Sequence, residues 1–333
     1  MASYYGAGTS NLAGAVPTFY GKSFLERLLP QIAMMDYCEK APLPEGSGTV
    51  VYWPRMTTLS TTVSAAKISY SAGLMSPTQA QSIASVSVSA TVEKYGWAIG
   101  VEDVTKLAAI SSTVSEVTAN VADQAAQILD QRIIEEAYGS SSNAVPANVH
   151  FSAFAFNTVA ATEASITYST YFNYMDTASH KMTAATIRAA IKKLQGRNVK
   201  PQDSGYFALI CHSDTAMQLQ ADSTWQAAYQ YTDPENMRKG VAGTYGGAKI
   251  QIDNNIHTSA NGSGGGSVYF SLLLGKGSMG VSTLDGAVKY YTVAGGASKY
   301  DPIDEFITVG WKSIFVPVVL NLSAGLVVMT MDA

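Results

Sequence analysis

Apolar residues recur along this chain in two rhythms. In the clearer one Val114, Val117, Val121, Ala125, Ile128 and Leu129 follow at helical steps, with Asn120, Asp123, Gln124, Gln127 and Gln131 on the other side. Thr113 with Glu116 forms a capping box, and Gly139 supplies a C-terminal stop. The pattern predicts a helix of about 25 residues, roughly 38 Å long at 1.5 Å per residue. One apolar and one polar face place it across a sheet, as a spine.

The second rhythm has a period of two. Val86, Val88, Ala90 and Val92 alternate with Ser85, Ser87, Ser89 and Thr91, which predicts a strand within 83–99 with one buried face. Residues 48–59 read as its partner. The intervening Ser60–Ser82 is rich in Ser, Thr, Ala and Gly and carries Lys67 and Pro77. A structureless loop of about 20 residues does not suit a compact domain. The pair is therefore predicted to be an extended hairpin projecting from the body, held by a neighbour.

Weaker patterns fill in the rest. Residues 1–20 have no period and form an arm without a core. Ser23 with Glu26 opens a short helix, Phe24–Leu29, stopped by Pro30. Asp103 caps another over 104–110. Residues 140–180 are mixed and aromatic, from Phe151, Phe154 and Phe156 to Tyr168, Tyr171, Phe172 and Tyr174. Ile187, Ile191 and Leu194 mark a helix over 184–195 that Gly196 ends. Strands are expected at 207–211, 249–252, 268–274, 287–293, 308–318 and 326–331, with a helix after His212-Ser213-Asp214 and a flexible loop at 261–267. No internal repeat is visible.

Composition narrows the class. The 333 residues, at roughly 150 per domain, imply about two domains or subdomains. Hydrophobic residues are 47%, enough for a sizeable core, but charged residues are only 14% against about 25% in ordinary soluble proteins. Their place is taken by 35 Ser and 28 Thr. Such a surface suits a protein covered by other chains. Twenty-one basic against 25 acidic residues give −4, which argues against a free-standing nucleic-acid binder. The start, Met1-Ala2-Ser3-Tyr4-Tyr5-Gly6, lacks the regions of a signal peptide, and no apolar run approaches about 20 residues. Cys38 and Cys211 sit in apolar surroundings and are expected to be buried thiols of a reducing cytoplasm.

Candidate chemistry is sparse. Gly275-Lys276-Gly277-Ser278-Met279-Gly280 matches GxGxxG, but a turn rather than the required helix follows it. Gly21-Lys22-Ser23 ends like a phosphate loop, yet the leading glycine would have to stand at Val16. His150, His180, His212 and His257 show no metal-binding spacing. His212-Ser213-Asp214 has the residue types of a triad, but adjacent residues cannot face one another, and Ser213 or Asp214 is expected as a helix cap. Asp301, Asp304 and Glu305 read as a turn before a strand, and the Phe151–Tyr174 aromatics as packing or interface. No catalytic residue, cofactor or metal is predicted.

The order of arm, long hairpin, spine helix, α/β middle and strand-rich tail resembles the major capsid proteins of tailed bacteriophages, the Hong Kong 97-type fold. The branch is that grouped with the N-four-type phage coat proteins. The residues that carry it are Phe24-Leu25-Glu26-Arg27 with Leu28 and Leu29, Val51-Tyr52-Trp53-Pro54-Arg55, and Val92-Glu93-Lys94-Tyr95-Gly96 through Val101-Glu102-Asp103. Tyr300-Asp301-Pro302-Ile303 and Thr308-Val309-Gly310-Trp311-Lys312 look like the family's DP and GWK signatures. The match spans about 20 to 325. The hairpin tip departs from it, with Ser71-Ala72-Gly73-Leu74-Met75-Ser76-Pro77 where acidic-Gly-Pro wording is expected, and 140–180 looks like an insertion or divergence.

The resemblance implies an α+β fold with an N-terminal arm (1–45), an extended loop hairpin (46–100), a peripheral domain with the spine helix (101–180), an axial domain (181–285) and C-terminal strands returning to the peripheral domain (286–333). It implies a coat protein that assembles with itself, as hexamers and pentamers, into an icosahedral shell in the virion, built in the bacterial host cytoplasm. The shell encloses double-stranded DNA without sequence-specific binding and without a membrane. Portal and scaffold proteins, and decoration proteins, are the further partners. Phe24, Leu28, Arg55, Lys67 and Pro77 are the expected intersubunit contacts. The alternatives are an encapsulin-type compartment shell, another phage structural protein, and an enzyme using the Gly275–Gly280 loop.

Overall fold

Two β-sheets share one long helix. The structure, a computed structural model, describes residues 33–44, 46, 48–56, 70–71, 74–75, 85–102, 113–139, 151–157, 162–164, 175, 179–202, 205–232, 243–259, 266–284, 288–293 and 305–331. The chain first makes a 3-10 turn, Met34–Tyr37, and then β1 (Glu39–Lys40), β2 (Val50–Met56), β3 (Tyr70–Ser71), β4 (Leu74–Met75), β5 (Ser85–Thr91) and β6 (Glu93–Glu102). The spine helix α1 is Thr113–Tyr138. After it come β7 (Ser152–Asn157), β8 (Thr162–Ala164), α2 (Ala184–Gly196), β9 (Phe207–Cys211), α3 (Ser213–Gln220) and α4 (Ser223–Thr232). Strands complete the chain: β10 (Thr244–Tyr245), β11 (Ala248–Ile252), β12 (Thr258–Ser259), β13 (Val268–Leu274), β14 (Met279–Thr283), β15 (Lys289–Val293), β16 (Phe306–Val319) and β17 (Gly325–Met331).

An eight-stranded sheet runs β10-β11-β9-β13-β17-β7-β8, with β12 beside β13. Every residue of β9, β13 and β17 is buried, as continuous apolar strands covered on both faces must be. The period of two sorts their side chains. Leu209, Cys211, Leu273, Leu326 and Val328 pack with Ile187, Ile191 and Leu194 of α2 and Trp225 of α4. Ala208, Ile210, Leu272, Val327 and Met329 face the cluster that contains α1. That same cluster takes Met279, Val281, Val309, Trp311 and Phe315 from a five-stranded sheet, β1-β14-β16-β15, in which β6 also pairs with β16.

The helix therefore has sheet on two sides, which explains where its burial exceeds the predicted stripe. Val121, Ala125 and Leu129 are buried as expected, and so are Ala122, Ala126, Ile133, Ile134, Ala137 and Tyr138. Val117 and Ile128 are only half-buried at its flanks. Gly139 ends it at φ +72°, the left-handed conformation that suits glycine.

Two local expectations are corrected and a third is refined. The strand predicted over 83–99 breaks at Val92 and serves two sheets. β5 pairs antiparallel with β2 from Val50↔Thr91 to Met56↔Ser85, whereas β6 pairs with β16 from Phe315↔Glu93 to Phe306↔Glu102. The alternation persists across the break because both halves have one inward face, and a period of two cannot tell which sheet a strand joins. Gly196 is the last residue of α2, as the sequence placed its end, and the left-handed residue beyond it is Asn198 at φ +57°, a type that tolerates it. The cap of α3 is neither Ser213 nor Asp214 but His212, whose Nδ1 accepts the Asp214 backbone N–H at 3.2 Å. The helices expected at 24–29 and 104–110 lie outside the described residues.

Candidate assembly interface

The candidate motifs within the described residues have structural roles, and Gly21-Lys22-Ser23 lies outside them. Gly275–Ser278 joins β13 directly to β14, so a strand, not a helix N-terminus, follows the GxGxxG match. A Cβ on Gly275 would lie 2.3 Å from a Val199 methyl carbon, so close packing accounts for that glycine. Asp214, beside the His212 cap, accepts the Tyr269 hydroxyl at 2.6 Å. Cys38 and Cys211 are free and buried, and burial pushes both thiols up to about 12. His180 and His257 are buried singly, and among the described residues no three His, Cys, Asp or Glu side chains group as metal ligands. Phe151, Phe154 and Phe156 are core residues. His150, Asp301, Asp304 and the aromatics at 168–174 lie outside the described residues.

What the fold does present is outward-facing strand. In the β2–β5 ribbon Val51 and Trp53 turn in against Val318, with Val88, Ala90 and Val92 packed around them. Ser85, Ser87, Ser89 and Thr91 are exposed, and Tyr52 is 65% exposed. Among the described residues this small cluster, with Ala41, Leu43 and Leu320, fastens the ribbon to the body on its apolar side. Arg55, one of the five expected contact residues, is exposed; its guanidinium donates to the Leu320 carbonyl of its own chain at 3.4 Å. Phe24, Leu28, Lys67 and Pro77 lie outside the described residues.

Beyond the ribbon the chain runs straight into β6, which pairs with β16 along its whole length and is held to α1 near its start. The Tyr95 hydroxyl accepts Arg132 Nε of α1 at 2.9 Å and donates to Glu93 at 2.5 Å, and Arg132 reaches Glu136 at 3.2 Å. Burial first, then the bond to Glu93, raises the Tyr95 hydroxyl above its ordinary pKa. Past Tyr95 the cover stops: Trp97 is 57% exposed, and Tyr291 on β15 is also open. Between them lies a groove of about 440 Å³ lined by Lys94, Gly96, Trp97, Tyr291, Gly310 and Lys312. Its floor is glycine because the strands approach too closely for a side chain. A Cβ on Gly96 would stand 2.7 Å from the Trp311 carbonyl oxygen, and one on Gly310 2.9 Å from that of Trp97. Two lysines and two open aromatics suit adhesion to another surface; no acid–base pair lies among these groups.

No protein-family model matches the chain, and no curated protein matches its sequence. Solved structures do. The capsid of cyanophage Pam1 superposes with a TM-score of 0.66 at 16% identity, over 92% of each chain. The capsid of Ralstonia phage GP4 gives 0.64 at 12% identity over 89% of this chain and 87% of that one. The head structure of Helicobacter pylori bacteriophage KHP40 gives 0.61 at 12% identity over 87% and 88%. The chain has the phage capsid fold. It is the Hong Kong 97-type α+β architecture that the sequence resemblance implied. Within this capsid fold the superpositions take in about nine-tenths of the chain.

Sequence reasoning missed Trp97, Tyr291 and Tyr52. The strand pattern gave no signal for Trp97, since its same-face neighbours Tyr95 and Ile99 are also apolar and read as one buried face.

Proposed function

We propose that this chain is a major capsid protein, a structural subunit with no catalytic role that assembles with itself into the icosahedral shell of a phage virion. The observation that carries the reading is the superposition on phage capsid chains over about nine-tenths of both partners. The charge-poor, Ser- and Thr-rich surface supports it, as does a ribbon with so little core beneath it. In this reading residues 1–45 are the arm, 46–100 the extended loop, 101–180 the peripheral domain, 181–285 the axial domain and 286–333 the returning strands. One subunit takes slightly different ribbon and arm angles in hexamers and pentamers, and the closed shell encloses double-stranded DNA. Assembly takes place in the bacterial host cytoplasm with portal and scaffold proteins, and decoration proteins complete the partners. Phe24, Leu28, Arg55, Lys67 and Pro77 are intersubunit contacts.

The test is expression of the full chain, with and without the scaffold gene of its source, followed by light scattering and negative-stain electron microscopy. Closed shells or capsomer rings of megadalton mass are expected. Deleting residues 66–76 should leave folded subunits that form neither. A subunit that stays monomeric with scaffold present, or that closes normal shells without 66–76, overturns the reading or its loop-contact part respectively.

A further inference from the structure

A carboxylic acid stands on the buried stripe of the spine helix. Asp130 follows Leu129 and is 0% exposed. Its Oδ1 accepts the backbone N–H of Met34 at 2.9 Å, and its Oδ2 accepts the Asn255 side-chain amide at 3.1 Å. Asp253, 8% exposed, is tied to it through Asn255, whose side chain donates to Asp130 and whose backbone N–H donates to Asp253. The Oδ1 of Asp253 accepts the backbone N–H of Asn255 at 2.9 Å, whereas its Oδ2 receives no such donor. Three parts of the fold meet here: the Met34–Tyr37 turn, α1, and the loop between β11 and β12.

Among the described residues no lysine or arginine forms an ion pair with either carboxyl group. An ionised carboxylate in so dry a place, with a second nearby, is strongly disfavoured, and a proton on Asp130 removes its charge. The surrounding groups are Cys38, Asp36 and Lys40 on the N-terminal segment, Tyr138 on α1 and His257 on the loop. Asp36 and Lys40 pair with each other at the surface at 3.6 Å. Burial holds the Cys38 thiol and Tyr138 hydroxyl protonated and keeps His257 neutral above pH 6.5, so none of these three competes between pH 6.5 and 8.

We propose that the buried Asp130 carboxyl keeps a proton and acts as a pH-sensitive latch, fastening the Met34–Tyr37 turn and the Asp253–His257 loop to the spine helix. The latch belongs to the folded subunit and stands whether or not that subunit builds shells. Burial first, then the neighbouring Asp253, pushes the Asp130 carboxyl up to about 8 from 3.8. A raised acid holds its proton when closed and loses it when open. The latch is therefore strongest at acid pH, weakens by up to about tenfold per pH unit as pH rises, and levels off above the closed-state value.

Hydrogen exchange of the full chain, followed by mass spectrometry and corrected for the intrinsic pH dependence of exchange, tests this. Between pH 6.5 and 8, protection of peptides covering Met34–Tyr37 and Asp253–His257 should fall by as much as tenfold per unit, and flatten above about 8. Peptides from β13 and β17 should not follow. The slope should vanish in Asp130→Asn and level off at a lower pH in Asp253→Asn, which guards against one variant failing to fold. A flat wild-type profile, or the wild-type profile in both variants, overturns the latch. So does recovery of protection at pH 8.5 on adding Ca²⁺, which would make the pair a cation site instead.

Discussion

Cys38 and Cys211 show how burial sets chemistry at the scale of a single side chain. Each thiol is pushed up to about 12 by desolvation. In the folded subunit both should resist iodoacetamide at pH 8 and react at once in denaturant, as counted by intact mass. A thiol raised in the fold holds its proton while the unfolded chain loses it near 9, so their contribution to stability is whole below about 9 and drains away as pH climbs towards 12. Stability should therefore fall more steeply between about pH 9 and 12 in the wild type than in a Cys38→Ala, Cys211→Ala double variant, whatever offset the lost packing causes at pH 7, as read by denaturant melts at each pH. The glycines of the β6–β16 pair make the complementary point: Gly310 and Gly96 are fixed by a partner strand's carbonyl. That gives a physical reason for the Gly-Trp-Lys wording, with Trp311 turned into the core beside its glycine.

Among the elements, the spine helix carries the most. Leu129 is 5% exposed in the cluster both sheets share, so Leu129→Asp places an unpaired charge where neither sheet can yield to water. The cost should exceed about 4 kcal/mol. The expected outcome is insoluble protein on expression, and equal solubility and melting would mean that this face is not buried. The helix, β9 and β13 were legible in the sequence because each is a local pattern strong enough to stand alone. The break at Val92 was not, since its cause is the choice between β2 and β16 as partners, and β16 lies some two hundred residues on. Nor was the carboxyl pair: Asp130 and Asn255 are 125 positions apart. The only local trace was an acid on an apolar stripe. Trp97 is the same kind of case, because exposure of a tryptophan depends on where α1 stops covering the sheet.

On the scale of the whole molecule, the outward strands point to contacts between subunits rather than to a reaction centre. Trp97 offers a clean probe because little of its own chain rests on it. Trp97→Ser should melt within a few degrees of the parent, as exposed substitutions cost about 0.5 kcal/mol or less. Its yield of closed shells should drop severalfold by sedimentation. Parental yield at parental stability would remove the groove from the interface.

The placing of β17 also governs when the subunit can exist at all. It sits between β13 and β7, and its partner Ser152 waits for Leu326. At roughly 5–20 residues per second, the ribosome takes on the order of ten seconds or more to deliver the second after the first. Through that interval the inner strands of the eight-stranded sheet have an open side, a nascent chain rich in apolar surface that other nascent chains could pair with. Completion is thus a single late event. A subunit cannot present its outward strands in finished form while still being made, and until then its open strand edges are exposed to neighbouring nascent chains.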